Sequence, residues 1–282
     1  MRFMKPGMAS FTPVLAIGLL SGCASSGITK ENPDHSRAWN LTHSVAMTDL
    51  DDSTVPSDQI PSGLRSTLDM AIDVSYFVNS ATLGMSLGDA FGLGLVGALL
   101  NSKKSHGERS TMVAWIPADD VDSRESAHLW LGDAVKDATL QAMDTLGIEG
   151  EPEFHNELTE SFWHGTFTET LITGVSVDGT ECGMYMKLYP ETVSELRTIP
   201  DFIAPNIQGY QVIADDEYTY PVLAPWCASE KLDQYIEFAG EISKNLPETV
   251  FFYVPQVESD EQTVPPIVFD HGKALLFLVA ED

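Results

Sequence analysis

Positive charge is scarce in this chain of 282 residues: 15 Lys and Arg stand against 42 Asp and Glu, for a formal net charge of −27. Phosphate recognition needs clustered Lys and Arg, so nucleic acid is not an expected partner, and no basic patch is present for anionic lipid. Short metal-ligand spacings are missing too. The densest group of candidate ligands, Glu153, His155, Glu157, Glu160 and His164, contains no H-E-x-x-H, so no metal is expected there. A calcium loop starting at Asp49 fails twice, because Thr54 stands where the loop needs Gly and Ile60 where it needs Glu. Gly92, Gly94 and Gly97 form G-x-G-x-x-G, but Leu and Phe surround them and no clear strand leads in. A nucleotide cofactor is therefore not expected either. The acids are scattered, which suits solubility in a salty medium better than a dedicated cation-binding surface. Apolar content is ample at 43%, enough for a sizeable core in one or two domains.

The N-terminus is more specific. Arg2 and Lys5 precede an apolar run, Val14 to Leu20, that is too short to span a bilayer, and Leu20-Ser21-Gly22 then leads directly into Cys23. This layout resembles the signal peptide and lipobox of bacterial lipoproteins, over residues 1–23 only. The resemblance implies that residues 1–22 are removed and that Cys23 carries the lipid. Loss of Arg2 and Lys5 makes the mature chain two charges more negative. With Ala24 rather than Asp after the cysteine, the resemblance also implies the outer membrane, with the body facing the periplasm. Several acyl chains suffice for stable anchoring where one is marginal. In that oxidising compartment Cys182 and Cys227 form an even pair. A disulfide between them would add about 4 kcal/mol on the chain-entropy argument, the alternative being two free thiols.

Four segments are expected: the signal peptide 1–22, a lipidated cysteine with a flexible tether over 23–61, a helical glycine-rich segment over 62–100, and an α+β periplasmic domain over 101–282. Residues 24–35 are small and polar, with order expected from near Trp39 and a second soft stretch from Asp51 to Pro61. From Ser62, Leu64, Leu68, Ala71, Ile72, Val74 and Phe77 follow a helical period. Gly84, Gly88 and Gly92 then recur four apart, a small-residue face that lets helices approach closely. That stretch resembles the glycine zippers of bacterial envelope proteins and marks an association face, the alternative being a core helix. Ser86 within it completes G-x-S-x-G, the nucleophile elbow of α/β-hydrolases, for which His271 would be the late histidine. The four-residue spacing running on to Gly92, and the short chain preceding Ser86, favour the helix.

Thr111 to Ile116 reads as a strand stopped by Pro117. A helix follows, with an Asp122/Glu125 capping signal, an apolar face from Ala127 to Leu146 and a stop at Gly147. After an acidic loop come strands over 166–177 and 181–189, joined by Asp178-Gly179. The order recurs: a strand over 218–223, a helix begun at Ser229 that carries Leu232, Tyr235, Ile236, Ala239, Ile242 and Leu246, a strand over 249–254, and a hairpin across Asp270-His271-Gly272-Lys273. The expected fold is α+β, an antiparallel sheet with helices packed on one face, in which a duplicated β-α-β-β unit is one arrangement of this order. The functional expectation is a non-enzymatic envelope lipoprotein, anchored to the membrane by its lipid and acting on envelope proteins or on itself. The alternatives are a serine hydrolase using Ser86 and His271, and a glycan or small-ligand binder using Tyr210, Tyr218, Tyr220 and Trp226.

Overall fold

A computed structural model describes residues 27–60, 71–73, 110–161, 165–177, 180–188, 193–212, 222–223, 232–258 and 263–281. The fold is α+β. At its centre lie β3 (Ser110–Pro117) and β10 (Val250–Val254), antiparallel, with Met112 opposite Phe252 and Val113 opposite Phe251. Both strands are apolar at nearly every position, a pattern that forces cover on two faces rather than one. From β10 the sheet continues outward through β13 (Ile267–Asp270), β14 (Lys273–Leu276) and β2 (Ala71–Asp73). On the other side of β3 lie β8 (Gln208–Gln211) and β7 (Arg197–Thr198), and β9 (Val222–Leu223) pairs with the start of β3.

One face of this sheet is covered by α2 (Arg124–Leu146) and α3 (Leu232–Asn245). The expected apolar stripes hold: Ala127, Leu131, Val135, Ala138 and Ala142 on α2 are buried, as are Tyr235, Ile236, Ala239, Ile242 and Leu246 on and just after α3. Gly147 ends α2 in the left-handed region at φ 63°, where glycine carries no Cβ penalty. The start of α2 differs from expectation. Ser123 is the cap, and it exchanges hydrogen bonds with Ser126, not Asp122 with Glu125.

α2 and α3 share one face as expected, and the other face is covered by residues within 27–60, a segment expected to be a flexible tether. α1 (Arg37–Ser44) lies there, and Ala38, Leu41, Val45, Met47 and Leu50 pack on Val113, Trp115, Phe251, Tyr253, Val268, Leu275 and Phe277. Polar spacing residues hid the apolar period of this segment. β1 (Ser53–Pro56) then pairs in parallel with β15 (Leu278–Glu281) near the C-terminus. Residues 27–60 are thus part of the body.

Two further readings change. Ala71–Asp73, taken as part of a helical face, is an edge strand on β14. The acidic loop before residue 165 is largely β4 (Glu149–Ser161), which pairs with β5 (Gly165–Val177), itself paired with β6 (Thr180–Leu188), in a separate three-stranded sheet. Asn156 donates to the Leu129 carbonyl and to Asp133, both at 3.0 Å, and Lys136 sits 4.4 Å over the Phe154 ring, so this sheet is fastened to α2. Each half of the chain does run strand, helix, strands. The halves pair differently, since β4, β5 and β6 form their own sheet while β10, β13 and β14 join β3. A two-stranded ribbon of β11 (Val257–Glu258) and β12 (Thr263–Val264) completes the described strands.

Candidate functional site

The described residues concentrate their polar chemistry around α1. Ser36 caps the helix, its Oγ accepting from the Trp39 amide at 3.1 Å. Asp52 in turn accepts from the Ser36 amide at 2.9 Å and the Ser36 hydroxyl at 2.5 Å, with the His35 ring at 3.0 Å. Asn32 and Asn40 exchange hydrogen bonds of 2.7 and 3.0 Å, tying the preceding chain to the helix. His35, Trp39 and His43 stack in a column, with ring centroids 3.8 and 3.7 Å apart. His43 is 8% exposed, and burial pushes its pKa down despite the bond to the Trp39 carbonyl.

At its C-terminal end α1 is locked to the sheet. The Trp115 indole donates to the Ser44 hydroxyl at 3.1 Å, and the Gln211 amide donates to the Ser44 carbonyl at 2.6 Å, both in the buried interior. The Ile28 amide donates to the His43 carbonyl at 2.9 Å. Gly27 has φ 63°, and the Ser44 carbonyl occupies the place its Cβ would take. Only glycine fits that position.

The other cluster joins α1 to the β13–β14 hairpin. His271 and Gly272 have φ 50° and 79°, the pair of positive values that a two-residue type I′ turn requires. His271 donates through Nδ1 to Asp270 at 2.5 Å, and Arg37 reaches the other carboxylate oxygen at 3.1 Å. The Gly272 amide donates to Ser243 on α3 at 2.8 Å. Burial pushes the Asp270 carboxyl up, but His271 and Arg37 outweigh it and hold the pKa below its ordinary 3.8. The same bond to Asp270 raises His271 above 6.5. Its Nε2 is shielded from solvent.

These shifts fix a sign. A histidine raised by folding contributes stability that is full below 6.5 and fades as pH climbs through its folded value. A carboxyl lowered by folding contributes above 3.8 and loses that contribution as pH falls through its folded value. The clasp is therefore strongest between those two ordinary values. In urea titrations, wild type should lose more stability than Asp270→Asn on going from about pH 6 to about pH 8. Parallel curves would show that the Asp270–His271 pair carries no pH-dependent stability.

Of the residues singled out in the sequence, Cys23, Gly84, Ser86, Gly88, Gly92, His164, Tyr218, Tyr220, Trp226 and Cys227 lie outside the described residues. Cys182 stands on β6 opposite Val175. Glu153, His155 and Glu157 alternate along β4, and no group of three His, Cys, Asp or Glu that could hold a metal occurs among the described residues. Tyr210 is on β8 opposite Ile116 and half-buried against the core. Sequence reading missed the α1 cluster. Its signal was present in Ser36 as a cap, followed by Ala38, Leu41 and Val45 at helical spacing. No family model, curated protein or solved structure matches this chain.

Proposed function

We propose that the protein is a lipoprotein of the bacterial outer membrane, anchored through Cys23 with its body in the periplasm, and that it works by contact with envelope proteins or with copies of itself. The observation that carries this reading is Leu20-Ser21-Gly22-Cys23 closing a short basic and then apolar segment. The glycine face of Gly84, Gly88 and Gly92 is the proposed association element. A serine hydrolase is the weaker reading. The four-residue glycine spacing runs on past Ser86 to Gly92, which a nucleophile elbow does not require, and little chain precedes Ser86.

Fatty-acid labelling tests the anchor. Wild-type chain expressed in a Gram-negative host with an alkyne fatty acid should take the label and lose residues 1–22. Cys23→Ser should remain unlabelled and leave the membrane fraction. A wild-type chain that is processed but carries no acyl group would remove the lipoprotein reading.

A further inference from the structure

The lipid anchor and the body are separated by very little chain. From Cys23 to Gly27 there are four residue steps, at most about 14 Å when fully extended, and part of that length is used in crossing the headgroup layer. Gly27 is not a swivel. It is packed against the Ser44 carbonyl in a conformation only glycine adopts easily, and the next amide is bonded to His43. Ser44 is bonded to Trp115 and Gln211 of the central sheet. Direction imposed on the chain at Gly27 is therefore passed to the whole sheet.

We infer that the rim at the C-terminal end of α1, residues 27–31 with 46–49, is the membrane-facing surface of the body, lying against the lipid headgroups. The inference rests on the lipoprotein reading and adds an orientation to it. Thr29, Lys30, Glu31, Thr48 and Asp49 are exposed on this rim, polar and of both charges, so the rim lies on the headgroups and does not enter the hydrocarbon. α2 and α3 cover the opposite face of the sheet, and the β4–β6 sheet is fastened to α2. Those elements are held away from the bilayer, where a periplasmic partner can reach them.

The test uses the full acylated lipoprotein in vesicles containing a nitroxide-headgroup lipid. A fluorophore is attached through an azide-bearing residue at the exposed position 48 on the rim or 141 on α2. Quenching at 48 should exceed that at 141 several-fold. A Gly/Ser linker of roughly twenty residues after Ser26, with a reach of about 25 Å, should erase the difference. Equal quenching at the two positions with the native linker, or stronger quenching at 141, would overturn the orientation while leaving the anchor intact. A chain that carries no acyl group and washes off the vesicles would instead overturn the lipoprotein reading, and the orientation with it.

Discussion

A chain lacking residues 27–50 is expected to show no cooperative thermal transition and to bind a hydrophobic dye at room temperature. The reason lies in the second face of the sheet. Leu41, Val45, Met47 and Leu50 are buried there with at most 1% exposure. At about 1.5–3 kcal/mol for each large apolar side chain, their burial is worth roughly 6–12 kcal/mol, about the whole stability of an ordinary domain. The deletion also uncovers Trp115, Phe251, Tyr253, Val268 and Phe277 in one patch. A flexible tether would give the opposite result, an unchanged melting temperature. Differential scanning calorimetry of the two mature chains, both made without lipid, decides between them.

Trp115→Ala should be the most damaging single substitution on that face. The side chain is 1% exposed, sits on the central strand, and donates its indole N–H to Ser44. Truncating a buried aromatic of this size costs about 3–5 kcal/mol through lost transfer energy and the cavity left behind. Here the loss also loosens the seat of α1, because it removes one of the two hydrogen bonds described between Ser44 and the sheet. Trp130→Ala is the control. Trp130 is only partly buried against the α2–α3 face, so its loss should cost clearly less in urea unfolding. Equal losses at the two positions would mean that α1 contributes little to the core.

Both predictions follow from a layer that local reading of the sequence did not find. The segment from Gly27 to Leu50 looks polar because Asn, Ser, Asp and His separate its apolar residues. Whether such a segment floats or packs depends on a matching surface elsewhere in the chain. That surface was signalled by Thr111-Met112-Val113-Ala114-Trp115-Ile116 and by Val250 to Val254, which are apolar without alternation, as strands covered on both faces are. β4 was missed for a related reason. Its acids suggested a loop, yet Glu153, His155 and Glu157 alternate with Phe154, Asn156 and Leu158 at the strand period.

The sequence by itself determined the periodic helices α2 and α3, the strands β3, β5, β6 and β10, the turn at His271-Gly272 and the α+β class. It also supplied the lipobox-like motif on which the proposed anchor rests. These are local properties, set by side-chain period, by caps and by the sign of φ, and neighbouring residues are enough to specify them. Only the tertiary structure decided that α1 covers the second face and that β1 pairs with the last strand. The same holds for the clasp of Arg37 on Asp270, 233 residues away. Contacts of that kind join segments distant in the chain, and they form because apolar surface gains free energy when a segment closes over it, while a charge drawn from water needs a partner.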